Sequence, residues 1–144
     1  MKNIIVEKLK KLITEKGDGA FLFLKYLNAG FDDVNQAYNE LGLTSPIALL
    51  RSKTSQYITT GWGNGYVRIP EGNKYYDKNY NEIDVSVHGG LTFSGHITND
   101  GVLSNGFWVG FDTAHYGDDS TYWTKDRVFE ETINLFSQIY GLSK

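Results

Sequence analysis

The sequence contains no cysteine and only two prolines in 144 residues. Without thiols there is no disulfide, no zinc–thiolate centre and no cysteine nucleophile. A basic excess is missing as well. Fourteen Lys and Arg against seventeen Asp and Glu leave a net charge of −3, whereas neutralising many phosphates needs the opposite balance. That argues against nucleic acid as the main partner and leaves room for a local basic pocket. No run approaches the roughly 20 apolar residues that span a bilayer. Residues Met1 to Lys16 interleave lysines with apolar positions and lack the apolar core and cleavage site of a signal peptide. A soluble, cytoplasmic protein with no membrane partner is expected.

Glycine and aromatic residues are abundant: 16 Gly, 10 Tyr, 8 Phe and 3 Trp. Eleven of the glycines fall within residues 61–117 and only four within 1–53, so the two parts follow different rules. The length fits a single domain, 1–144, with a helical part (1–53), a β-rich part (54–123) and a C-terminal helix (124–144).

In the first part, positions 4, 5, 9, 12 and 13 form an apolar helical stripe that Gly17 ends. Asp18 is placed to cap a buried helix over Gly19–Asn28, and Asp32 a short one carrying Val34, Ala37, Tyr38 and Leu41. Ser45-Pro46 opens a further short turn or helix with Ile47, Leu49 and Leu50 on its apolar face. From Gln56 the period shifts towards two. Tyr57–Thr60 and Tyr66–Ile69 read as strands around a Gly61-Trp62-Gly63-Asn64-Gly65 turn. Ile83, Val85 and Val87 alternate with polar residues as in a half-buried strand, and β character resumes over Leu91–Ile97. Gly106–Phe111 is apolar on both faces and reads as a central strand. Thr124 caps a last helix whose face is Val128, Thr132, Leu135, Phe136 and Ile139, ended by Gly141. The expected fold class is α+β: an N-terminal helical layer, a small mostly antiparallel sheet rich in glycine and aromatics, and a C-terminal helix packed on that sheet.

Two loops concentrate the chemistry. Val87–Gly95 and Gly110–Asp119 each place a histidine directly after a β-like run, on a rigid platform. Asp112, His115 and Asp118 recur at three-residue spacing, and His88 could join them as a two-histidine, two-carboxylate metal site or as an acid–base pair. The spacing matches no established metal signature, so no metal or other cofactor is assigned. The structural alternative has Asp112 capping a turn, His115 packing on Tyr116 or Tyr122, and Asp118 and Asp119 serving loop solvation and helix entry.

Other signatures fail on inspection. Gly61-x-Gly-x-Gly lacks the following Lys-Ser/Thr of a phosphate loop, and Ser94-Gly95 lacks the flanking glycine of a nucleophile elbow. His96-Ile97-Thr98 is similar to one His-x-Thr motif of the two-histidine phosphoesterases, but neither His88 nor His115 supplies the second copy.

Residues 65–123 resemble a family of small uncharacterised proteins encoded by bacteriophages and prophages. The resemblance rests on Val87-His88-Gly89-Gly90-Leu91-Thr92-Phe93-Ser94-Gly95 and on Trp108-x-Gly110-Phe111-Asp112-x-Ala114-His115-x-Gly117-Asp118. It implies a phage origin and action in the cytoplasm of an infected bacterium, and it carries over no catalytic residues. In that setting the expected function is binding rather than catalysis: sequestration of a nucleotide-derived signal of host defence, as a possible homo-oligomer. Trp62, Arg68, Tyr75, Lys78, His88, Thr92, Ser94, Trp108, Asp112 and His115 are the expected ligand-binding residues, with aromatics stacking on a base, Arg68 and Lys78 meeting phosphate and Asp112 accepting from hydroxyls. The enzymatic alternative is a hydrolase of a similar ligand, with His88 or His115 as acid–base group, Asp112 orienting it and Asp118 near a metal. A second alternative is an inhibitor of a host protein that offers the apolar Phe21–Leu27 helix as its surface.

Overall fold

The computed structural model describes residues 2–23, 27–52 and 60–141. The chain divides into two compact units, Met1–Pro46 and Ile47–Ser143. The division falls ahead of the change in composition near residue 54.

In the first unit, helix α1 (Lys2–Lys16) leads into a 3₁₀ segment, Gly17–Phe23, and α2 spans Phe31–Glu40. The buried stripe of α1 is Val6, Leu9 and Ile13, rotated from the expected one, so that Ile4 faces solvent. Those residues pack against Val34, Ala37 and Tyr38 of α2 at the matching three- and four-residue spacing. Lys10 ties the two helices together by pairing with Glu40 while also reaching Glu7 at 3.2 Å. The hydrogen bond to Glu40 is the main cause of a raised Lys10 pKa and, reciprocally, of a lowered one at Glu40.

Several expectations for this unit change. The N-cap of α2 is Gly30 without a side-chain bond, and Asp32 sits in the first turn, favourable to the helix dipole. Leu41 is the exposed C-cap and not part of the apolar face. Where Asp18 was to cap an α-helix, the chain is 3₁₀ up to Phe23; residues 24–26 of that expected helix lie outside the described residues. Phe21 is buried and stacked on Tyr38 with ring centroids 5.4 Å apart, so it offers no surface to a protein partner.

The second unit is an α+β arrangement. Strands β1 (Ile47–Arg51), β2 (Gly63–Ile69), β3 (Phe93–Ile97) and β4 (Gly106–Phe111) form one antiparallel sheet in the order β1-β2-β4-β3. Helix α3 (Lys125–Tyr140) packs against β2 and β1. Its ends are those the sequence predicts: the Thr124 side chain accepts from the Arg127 N–H, and Gly141 closes it in the left-handed conformation. Val128, Thr132, Leu135, Phe136 and Ile139 are all buried.

Paired residues share a face of the sheet. Gly65, Val67 and Ile69 of β2 therefore lie on the same side as Phe111, Val109 and Phe107 of β4, and α3 covers that side. The helix comes closest at Gly65, where a Cβ would run into the Thr132 hydroxyl and lie 2.8 Å from Phe111 Cε1. Gly65→Ala is expected to destabilise the protein by about 1–3 kcal/mol through overpacking; a denaturation midpoint equal to wild type would show that the helix can move away at no cost.

Three β-region expectations are corrected. Ile47–Arg51 is a strand paired with β2 and not a helical turn. Gly63-Asn64-Gly65 belongs to β2 itself instead of a hairpin turn, while residues 57–59 of the proposed preceding strand lie outside the described residues. The alternating segment 83–87 belongs to no strand. Its backbone is bound by the side chains of α3: Ser86 N–H donates to Gln138 Oε1 at 2.8 Å, and Ser86 O accepts from Gln138 Nε2 and Asn134 Nδ2 at 2.9 and 3.1 Å. The helix stands in for a neighbouring strand. No helix among the described residues is long and apolar enough to cross a membrane.

Candidate functional site

The segment bound to α3 ends at His88, whose backbone N–H donates to Glu131 Oε2 at 2.6 Å. This places the His88 imidazole beside the loop that follows β4. That loop is fixed by its own turns. Thr113 is buried, donates its hydroxyl to Gly63 O at 2.7 Å and accepts from Gly61 N–H through its carbonyl at 2.7 Å. Asp119 Oδ1 accepts from Tyr122 N–H at 2.8 Å, Asp119 O accepts from Trp123 N–H at 2.9 Å, and Trp123 O accepts from Trp62 N–H at 2.7 Å. Between these anchors, His115 and Asp118 form a turn in which Asp118 N–H donates to His115 O and Asp118 Oδ2 accepts from His115 N–H, both at 2.9 Å.

Asp118 is the centre of the cluster. Its side chain is only 6% exposed. His88 Nε2 lies 2.9 and 3.0 Å from its two oxygens, and His115 Nδ1 lies 3.2 Å from Oδ2. Asp112 approaches from the side, with Oδ1 at 3.4 Å from His115 Nδ1. Burial alone would raise the Asp118 pKa. Hydrogen bonds from the His88 ring, the His115 backbone and the His115 ring outweigh it and hold the carboxyl below its usual value. Asp118 is thus an ionised carboxylate shared by two imidazoles.

Packing fixes both rings. His88 packs against Trp123 with centroids 4.4 Å apart and the rings tilted by 38°, and meets His115 edge-on at 5.2 Å. His115 lies over Gly89, where a Cβ would fall inside the imidazole, and Gly89 has φ +68°. Gly89→Ala therefore combines left-handed strain of about 1–2 kcal/mol with displacement of His115. A lowered melting temperature together with a shifted His115 imidazole resonance by NMR is expected; an unshifted resonance would mean that His115 does not rest on Gly89 in solution.

No family model matches this chain, and no curated protein or solved structure matches it either. Its functional reading rests on its own geometry.

Of the ligand-binding residues expected from sequence, the structure brings together His88, His115 and Asp112, around Asp118. Trp62 touches the cluster's border through its bond to Trp123, and Lys125 Nζ lies 5.6 Å from the centre of its ring. The others are engaged elsewhere. Trp108 is 1% exposed and donates Nε1–H to Ser104 O at 2.8 Å, so its ring offers no face to a ligand. Arg68 lies over that ring at 6.0 Å. Tyr75 donates to Asp84 O at 3.3 Å, and Ser94 Oγ accepts from Tyr80 N–H at 2.9 Å. Thr92 is exposed with its N–H bound to Gly110 O, and Lys78 is exposed in the tyrosine-rich loop.

The sequence reading assigned Asp118 mainly to loop solvation and helix entry, and its burial between two imidazoles overturns that. His115 packs on Gly89 and meets the His88 ring edge-on. Trp123 and Glu131 were missed as parts of the site. For Glu131 no local signal exists, since only the packing of α3 brings it to His88. Beside Trp123 the surface is aromatic and cationic: Tyr116 is fully exposed, and Tyr122 is exposed with the Arg127 guanidinium 4.3 Å from its ring centre.

Proposed function

We propose that the protein is a hydrolase of a small nucleotide-like phosphoester, with its reaction centre at His88, His115 and Asp118. The observation that supports this is the buried, ionised Asp118 placed between two imidazole nitrogens. The ring nitrogen of His88 or His115 that does not face Asp118 takes up the proton of an attacking water, and the negative charge of Asp118 stabilises the imidazolium that forms. Asp112 adds a second carboxylate against His115. The phosphoester class is supported by Arg127, which sits over the ring of Tyr122, the neighbour of Trp123, and by the exposed rings of Tyr116 and Tyr122, which offer faces for a base.

Incubation of the purified chain with a panel of linear and cyclic nucleotides tests this, with products separated by chromatography. Product formation that His88→Ala and His115→Ala each abolish is the expected result. A second reading, sequestration of a nucleotide signal of host defence, is favoured by the exposed Tyr116 and Tyr122. Under it the ligand is recovered intact, near one per chain, after heat denaturation. Intact recovery without product overturns the hydrolase, and neither binding nor product overturns both readings.

A further inference from the structure

We infer that His88, His115 and Asp118 form a binding site for one divalent transition-metal ion of the zinc class, with Asp112 standing outside it against His115. The inference rests on the hydrolase reading for its chemistry and specifies how the water is activated.

The distances argue first. His88, His115 and Asp118 each offer a ligand atom, and the three atoms lie within 4.8 Å of one another. Metal–ligand bonds of about 2.0–2.2 Å in a tetrahedron separate the ligand atoms by about 3.3–3.6 Å. Asp118 Oδ2 lies 3.2 Å from His115 Nδ1. The separations of 2.9 and 3.0 Å at His88 Nε2 need to open by only a few tenths of an ångström.

Proton counting argues second. An imidazole nitrogen carries at most one hydrogen, which can point well at one acceptor. His88 Nε2 faces both oxygens of Asp118 almost equally, and His115 Nδ1 faces oxygens of two different carboxylates. A cation placed among the ligand atoms of His88, His115 and Asp118 satisfies those three at once. The donor types choose the ion: two imidazoles with a carboxylate suit zinc, cobalt, iron or nickel, whereas calcium and magnesium prefer oxygen alone. The packing on Trp123, the Glu131 bond and the Gly89 contact fix the ligands in advance. A zinc-class ion here lowers the pKa of its bound water to about 7. That water attacks phosphorus as hydroxide, the phosphoester P–O bond breaks, and the leaving oxygen takes a proton from solvent.

The test uses chain stripped with a chelator and titrated with Zn²⁺ by calorimetry and with Co²⁺ by visible absorption. One ion per chain is expected, with Co²⁺ bands of four-coordinate intensity and a raised melting temperature. His88→Ala and His115→Ala should each abolish those bands, and Asp112→Asn should weaken binding at least about tenfold. Circular dichroism checks that each variant folds, and His88→Gln and His115→Gln replace any that does not. Absence of a bound ion overturns the inference, as does binding that survives both histidine substitutions. Histidine-dependent turnover that the stripped chain retains overturns the metal and leaves the hydrolase standing. Stoichiometric metal binding without turnover of any phosphoester does the reverse.

Discussion

With asparagine in place of Asp118, turnover is expected to fall by about two to four orders of magnitude, the range lost when a positioned carboxylate is removed from an acid–base or metal-activating centre. The substitution keeps the size of the side chain, so the turn from His115 to Asp118 retains an oxygen to accept the His115 N–H. What disappears is the charge. The side chain is 6% exposed and receives bonds from three donors. An amide presents one oxygen and one NH₂ group. The NH₂ faces an imidazole nitrogen that then has to act as acceptor, which reverses the tautomer at His88 or His115. Initial rates at saturating substrate, with circular dichroism as the folding control, measure the effect. Wild-type turnover in Asp118→Asn would remove the chemistry from this cluster.

Trp108→Ala carries the second large effect, and it is one of stability. The ring is 1% exposed on the central strand β4, between Arg68 of β2 and Gly95 of β3, and its Nε1–H is bonded to Ser104 O at 2.8 Å. Truncating such a ring costs about 3–5 kcal/mol, the lost burial plus the cavity left behind. At about 2–4 °C per kcal/mol for a chain near 150 residues, the melting temperature should fall by about 6–20 °C. This outcome separates two roles for the same residue. A ligand-stacking tryptophan would lose affinity at unchanged stability, and that result would return Trp108 to the binding residues. The tryptophan at the site is Trp123, and Trp123→Leu is the matching probe of His88 orientation.

Gly106–Phe111 is apolar on both faces, which already places Trp108 in a central, covered strand. The abundance of loop aromatics pulled it into the ligand-binding set against that pattern. The structure agrees with the pattern.

Sequence alone determined helix α3, the central strand β4 and the α+β class, because each rests on local physics. A sixteen-residue helix repeats its apolar period several times and carries its own start and stop signals, Thr124 and Gly141. The grouping of Asp112, His115 and Asp118 was also legible, since three-residue spacing in one loop keeps them close. Tertiary structure decided the rest. Ile47–Arg51 is five residues long, too short for a period to tell helix from strand, and only pairing with β2 settles it. Residues 83–87 alternate as a strand does, yet Asn134 and Gln138 of α3 bond their backbone instead of a neighbouring strand. That same packing carries His88 onto Glu131 and Asp118, 43 and 30 residues away in sequence. Contacts at such separation depend on where α3 meets the sheet, and no local pattern encodes that position.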